Sequence, residues 1–306
     1  MKPEVIIGTR GSRLAVIQAN IVASELQRAH PSIQIEIRKI VTEGDRNRNM
    51  SIDEAGNTGI FVKALEEALA DERIDIAVHS LKDMPTLLPV TMCIAAVTKR
   101  IDPRDALFAD ALLTGLKPGS LIGTGSLRRA AQLNNLRGDL QVINIRGNVD
   151  SRLRKVSSGE LQGVIVAAAA MIRLGWDAKI TEYLPPESFL PAVGQGALAI
   201  EARKGDRIIE EYVTVLNHLP TWQAVTAERA FLHAVEGGCR APVAALATVH
   251  GQILKITAMV ADKAGTKIIK QSLEGDARRA ESQGVKLAQM MIDAGAASLI
   301  DEIRCQ

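Results

Sequence analysis

Ile7-Gly8-Thr9-Arg10-Gly11-Ser12 and, further along, Ile122-Gly123-Thr124-Gly125-Ser126 are the stretches on which the fold turns. Each closes a β-rich run, Val5–Thr9 in the first case and Leu121–Gly123 in the second, and opens a stretch of helical periodicity. In each, glycine suits a tight turn and the serine can cap the first helical turn. A helix N-terminus beside arginines, here Arg10 and Arg13 or Arg128 and Arg129, suits a carboxylate or a phosphate. The echo predicts two similar α/β domains facing one cleft. Coincidence is the alternative for so short a match.

Outward from the first stretch, Ser12–Ala29 reads as a helix with Leu14, Ile17, Ile21 and Val22 near one stripe. Gln34–Val41, Asp75–Ser80 and Met92–Thr98 read as strands, with Ile60–Ala70 a helix between the first two. Around the second stretch, Gln141–Ile145 and Gly163–Ala168 read as further strands. Such alternation predicts mostly parallel sheets covered by helices on both faces, with ligands beyond the carboxyl ends of the strands. After Pro220 the texture changes. Thr221–Glu236 reads as one helix, followed by the Gly237-Gly238 break. Three β-like runs come next, around Val243–Val249, Ile253–Val260 and Lys267–Leu273, and then a helix over Asp276–Ala294. A small α+β domain with an antiparallel sheet is the natural reading.

Composition excludes several classes. The chain has 306 residues, enough for two or three domains, and is rich in aliphatic and poor in aromatic residues. Its longest apolar stretches, such as Gly163–Ala170, are far short of the roughly 20 residues of a membrane span. No basic segment followed by an apolar one marks a secretory signal at the N-terminus. Three cysteines without a CxxC spacing indicate neither a disulfide frame nor a zinc site, and no metal is expected. A reduced cytoplasmic setting fits. The net charge is only +2, against a general polyanion binder. Between Lys117 and Lys155, however, eight residues are basic and two acidic, Asp139 and Asp150. No aromatic residue interrupts that stretch, so base stacking has no platform. A pocket for a small polyanion explains it better than a nucleic-acid groove, with a solvated basic surface as the plain alternative.

A few side chains stand out chemically. Cys239 follows the glycine pair at a helix end, where a turn can present its sulfur and Arg240 can favour the thiolate. Cys93 lies in the apolar run Met92–Val97 and reads as packing, and Cys305 as a frayed terminus. Asp83, in His79-Ser80-Leu81-Lys82-Asp83-Met84-Pro85, falls just past a strand, where an α/β sheet places its site residues. A solvated turn aspartate paired with Lys82 is the bland reading, and His79 reads as a packed or bridging residue. Arg128, Arg129, Arg146, Arg152 and Arg173 offer guanidiniums for bidentate carboxylate contacts, or are ordinary surface charge. Ala192-Val193-Gly194-Gln195-Gly196-Ala197 has the glycines of a hinge.

Taken in order, these segments resemble one family, porphobilinogen deaminase, also called hydroxymethylbilane synthase. The carrying motifs are Gly8–Ser12, Ala77–Pro85, Gly123–Arg129, Ile145–Asn148, Leu190–Ala197 and Glu236–Cys239, which span nearly the whole chain. The resemblance implies an α/β fold of two lobes like those of periplasmic binding proteins, plus a small α+β C-terminal domain with an antiparallel sheet. It places domain 1 at residues 1–99 and 197–217, domain 2 at 104–191 and domain 3 at 220–306. It implies a dipyrromethane cofactor joined through a thioether to Cys239, and Asp83 as the catalytic carboxylate. Ser12, Ser80, Lys82, Thr124, Ser126, Arg128, Arg129, Arg146 and Asn148 match positions that hold the cofactor. Arg10, Arg152, Arg173 and Gln195 match positions that hold substrate. Four porphobilinogen units are then joined in turn, each losing ammonia, before water releases hydroxymethylbilane. A cytoplasmic monomer is expected, whose partners are porphobilinogen and the growing pyrrole chain, with neither nucleic acid nor membrane.

Three departures accompany the resemblance. Lysine is usual where Thr58 stands and frequent at Glu54, a second serine is usual at Gly125, and glutamine commonly follows the cysteine where this chain has Arg240. A non-enzymatic solute-binding protein of the same architecture would explain the lobes and arginines but leaves Cys239 without a role. A nucleic-acid-binding protein would show steeply salt-dependent affinity.

Overall fold

The structure, a computed structural model, describes residues 4–41, 60–236 and 242–304. Cys239, Arg240, Glu54, Thr58 and Cys305 lie outside the described residues. The chain divides into two compact units, Met1–Ile101 with Ala197–Trp222, and Asp102–Gly196 with Gln223–Gln306.

The first unit is built on β1 (Glu4–Arg10), β2 (Gln34–Ile40), β3 (Ile76–Ser80), β4 (Met92–Val97) and β10 (Leu198–Arg203). They lie in the order β2-β1-β3-β10-β4. β1 runs parallel to β2 and β3, whereas β10 runs antiparallel to both its neighbours. Alternate residues of the central strands face opposite sides, as the two-residue strand period requires. Ile76 and Val78 pack with Val22 and Leu26 of helix α1 (Arg13–Ala29) and Val213 of α6 (Arg207–Thr214). Ala77 faces the other way, onto Leu65 and Leu69 of α2 (Ile60–Ala70). Helices thus cover both faces.

The second unit repeats this plan with β5 (Asp105–Ala109), β6 (Leu121–Gly123), β7 (Gln141–Ile143), β8 (Gly163–Ala167) and β9 (Glu182–Leu184). The order β7-β6-β8-β5-β9 again has one antiparallel strand, β5, in the fourth place. In both sheets the odd strand is the first one after a chain crossing, at Ile101/Asp102 and at Gly196/Ala197. Leu133 of α3 (Leu127–Leu136) packs with Ile165 on one face. On the other, Leu153 of α4 (Val149–Ser157) and Met171 of α5 (Ala168–Arg173) pack with Val164 and Val166. The echo of the sequence is therefore architectural, since β1 and β6 occupy equivalent places.

A separate antiparallel sheet, β11 (Val243–His250), β12 (Ile253–Ala261) and β13 (Ile268–Asp276), belongs to the second unit. Its core joins Leu254 and Ile256 to Phe231 of α7 (Leu219–Glu236) and to Leu287 and Met291 of α8 (Ala280–Met291). The hairpin between β12 and β13 grips the far end of α3. There Asn134 and Asn135 donate to the carbonyls of Ala264 and Gly265 at 3.1 and 3.2 Å, and Ala131 packs with Ala244, Met259 and Ala261. Glu228, fully buried on α7, accepts from the backbone N–H groups of Gly194 and Ala247.

Three sequence expectations change. The buried face of α1 is Ala15, Gln18, Ala19, Val22 and Leu26, one position round from the stripe of Leu14, Ile17 and Ile21. Small alanines let the helix lie close to the sheet, so size, rather than hydropathy, selects the inward face. Gly8 and Gly123 lie within β1 and β6 and not in the turns that follow, which leaves Gly11 and Gly125 there. A Cβ on Gly8 or Gly123 would stand 2.2 Å from Ile74 Cδ1 or 2.6 Å from Ile145 Cδ1, so close packing excludes one. Lastly, the helix read over Asp276–Ala294 ends as α8 at Met291. The chain then kinks through Gly295, at φ 99°, into α9 (Ala297–Arg304).

Candidate active site

In the first unit the site residues gather at the carboxyl end of β3. Ser80 ends the strand, and its Oγ accepts a 2.8 Å hydrogen bond from Nε2 of Gln18, a buried polar residue on α1. The next N–H, of Leu81, donates to the carbonyl of Ala197. Leu81–Asp83 form one 3-10 turn, held at its two ends by the buried side chains of Leu81 and Met84. That turn leaves Lys82 half-buried and Asp83 exposed. Among the described residues no hydrogen bond or ion pair engages the Asp83 carboxylate. One residue below Ser80, His79 bridges to Glu201 of β10 at 2.9 Å, both buried. This is the bridging role expected of it, and it fastens β3 to β10 beneath the turn. Arg10 closes β1, and Ser12 caps α1 by accepting from the N–H of Ala15 at 3.3 Å.

In the second unit the equivalent strand end is β6. Thr124 is buried, its Oγ1 accepting from the N–H of Ser126 at 3.2 Å, and Ser126 caps α3 by accepting from the N–H of Arg129 at 3.4 Å. The capping expectation holds in both echoes. Arg128 and Arg129 are buried and converge on Asp105, at the start of β5, with N···O distances of 2.7 Å each. Burial by itself would raise the Asp105 carboxyl. The charges and hydrogen bonds of the two arginines outweigh it and hold the group well below the ordinary carboxylate range. Gln195 is buried too, its Nε2 donating to the Pro103 carbonyl at 2.8 Å and to Asp105 at 3.0 Å. Arg146 and Asn148 are exposed beyond β7. Asn148 opens α4 without a capping bond from its side chain.

Arg173 and Arg152 are also partly desolvated, with no carboxylate bonded to either among the described residues. Arg173 donates through Nη2 to the Gly196 carbonyl at 2.9 Å, and burial pushes its pKa down to about 10. Arg152 donates to the Gly147 carbonyl at 2.8 Å, and burial, then the Arg129 charge, lowers its pKa. Each keeps its charge at neutral pH at a cost that a ligand carboxylate would offset.

Sequence reasoning missed Gln18, Asp105, Glu201 and Glu228. The available signal was a polar side chain inside an apolar stripe. At Cys93, on β4, burial, then the nearby Glu210, raises the thiol pKa, and its Sγ lies 3.9 Å from Glu210 Oε1 on α6. Gly125 has a local cause, since a Cβ there would meet the Ile145 carbonyl oxygen at 2.6 Å. Gly125→Ser is therefore expected to destabilise the chain by about 1–3 kcal/mol, as overpacking does. Denaturant titration would show it as a lower midpoint, and an unchanged midpoint would mean that the backbone yields.

The first unit thus presents an exposed carboxylate at a strand end, and the second presents desolvated guanidiniums at its own. Comparison with known proteins gives the family. Residues 5–211 match "Porphobilinogen deaminase, dipyromethane cofactor binding domain" and residues 222–293 match "Porphobilinogen deaminase, C-terminal domain". The porphobilinogen deaminase of Alkaliphilus metalliredigens is 45% identical over 97% of this chain and 95% of its own. That of Geobacter sulfurreducens is 43% identical over 97% and 94%. The chain belongs to the porphobilinogen deaminase family and is an enzyme with a dipyrromethane cofactor binding domain. Among solved structures, immunogenic lipoprotein A from Vibrio vulnificus is similar with a TM-score of 0.43 at 13% identity, over 73% of this chain and 99% of that one.

The residues present suit the cofactor. A dipyrromethane with an acetate and a propionate on each ring carries several carboxylates. Arg128, buried at the first turn of α3, bonds Asp105 and the Leu190 carbonyl through Nη1, which leaves its Nε/Nη2 edge to such a group. No helix of the described residues is long and apolar enough to cross a membrane.

Proposed function

We propose that the chain joins four porphobilinogen molecules into a linear tetrapyrrole, releasing ammonia at each addition and, finally, hydroxymethylbilane. The observation that carries this reading is Asp83, an exposed carboxylate without a partner among the described residues, held beyond β3 by two buried neighbours. The dipyrromethane, attached through Cys239, supplies the nucleophilic pyrrole end on which the chain grows.

Positive charge develops on porphobilinogen as its C–N bond breaks and ammonia leaves. The Asp83 carboxylate, beside the pyrrole N–H, stabilises that charge and helps carry off the proton that the attacking α-carbon loses once the new C–C bond has formed. Ser80, fixed by Gln18, and Lys82 flank that carboxylate. Arg128, Arg129 and Arg146, with Ser12, Thr124, Ser126 and Asn148, hold the cofactor's carboxylates. Arg10, Arg152, Arg173 and Gln195 serve the incoming ring. Three domains are proposed, residues 1–99 with 197–217, 104–191 and 220–306, acting as a cytoplasmic monomer in haem biosynthesis.

Denaturing mass spectrometry of the purified chain tests the reading. The expected mass exceeds that of the sequence by two pyrrole units. A bare sequence mass, unchanged after incubation with porphobilinogen, would favour a binding protein instead.

A further inference from the structure

The cluster around Asp105 has its own logic. Asp105 is fully buried where β5 begins, on the strand that follows the first crossing. Its Oδ1 accepts from Nε and Nη2 of Arg129, at 3.0 and 2.7 Å, and from Nε2 of Gln195 at 3.0 Å. Its Oδ2 accepts from Nη1 of Arg128 at 2.7 Å. That same Nη1 also donates to the Leu190 carbonyl at 2.6 Å, and Nη1 of Arg129 to the Ile165 carbonyl at 3.1 Å.

A guanidinium has five N–H donors in a rigid fork, and a carboxylate is best taken by two parallel ones. Arg128 commits both hydrogens of Nη1 to the interior. Its Nε/Nη2 edge makes no bond among the described residues, and neither atom is among their sealed, unpartnered nitrogens. Arg129 is the reverse, with its Nε/Nη2 edge taken by Asp105. One carboxylate thus fixes two adjacent guanidiniums in different attitudes, at the first turn of α3, whose far end the β12–β13 hairpin holds.

We propose that Asp105 is a positioning residue for anion recognition. It aims the Nε/Nη2 edge of Arg128 at a ligand carboxylate, so affinity there comes from orientation more than from net positive charge. The inference rests on the function proposed above for its ligand, though not for its geometry.

Asp105→Asn separates the two contributions, because it removes a negative charge beside two cations while keeping the shape. If charge governed, anion binding would tighten; if orientation governs, it weakens. The full-length chain and its variant are exposed to graded porphobilinogen, and the fraction carrying pyrrole mass is measured on denatured protein. The concentration for half-loading is expected to rise at least tenfold in Asp105→Asn, and also in Asp105→Glu, which keeps the charge but displaces the carboxylate. A half-loading concentration unchanged or lowered in the folded Asn variant overturns the proposal, as does a change confined to the thermal midpoint. The nitrogen-15 spectrum of the wild-type guanidinium groups stands apart from loading. A slowly exchanging Nε–H from Arg129, assigned by Arg129→Lys, is expected, and its absence would refute the geometry even if neither variant folds. Should wild type take up no pyrrole while that signal persists, the proposed function fails and the positioning geometry stands.

Discussion

Asp83→Asn is expected to fold normally and to lose turnover by around a thousandfold. Opposite unit charges at about 4 Å are worth roughly 4 kcal/mol at an effective dielectric near 20, and about 1.4 kcal/mol is tenfold in rate. The effect falls on rate if the attraction is realised in the transition state and not in the bound substrate. Normal folding is expected because Asp83 is exposed and holds nothing, the turn being fixed by Leu81, Met84 and the Leu81 N–H bond to Ala197. The cofactor should still attach, at least in part. The measurement is hydroxymethylbilane release per chain, with the denatured mass recorded in parallel. Near-normal release would remove Asp83 from the catalytic role.

Cys239→Ser is expected to abolish the two-pyrrole adduct altogether. An alkoxide is a far weaker nucleophile near neutral pH than a thiolate, since the thiol has a pKa of about 8.5 and the serine hydroxyl does not ionise there. Of the other thiols, burial and Glu210 raise the pKa at Cys93 and so lower its reactivity. The expected spectrum shows the variant at its sequence mass, before and after porphobilinogen. An adduct that survives would locate the attachment at another residue.

Much of the fold was legible because strands and helices of the first two-thirds alternate with clear periods. The Gly-Thr…Ser echo marked equivalent strand ends, β1 and β6, whose caps Ser12 and Ser126 act as their chemistry suggests. What was hidden depended on contacts distant in sequence. Glu201 reads as a charged residue in an apolar strand until it meets His79, 122 positions away. Asp105 looks like a loop acid after Pro103-Arg104, and only the fold brings Arg128 and Arg129 to it. Gln18 was concealed differently, as a polar residue on a helix face whose inward direction is set by small side chains. Local patterns therefore located the strand ends and the arginines, but not the groups that orient them.

The placement of β10 has a consequence for how the molecule is made. It lies between β3 and β4 and is hydrogen-bonded to both, although every strand of the second α/β sheet is synthesised before it. During synthesis, the strand that carries Ser80 and leads to Asp83 must wait with an unfilled edge while the neighbouring sheet can already close. Such non-local pairing slows folding and leaves a strand edge open to misassociation. The Leu81–Asp83 turn is thus among the last parts of its sheet to be secured, and a nascent chain halted before Leu198 would lack the partner that holds it.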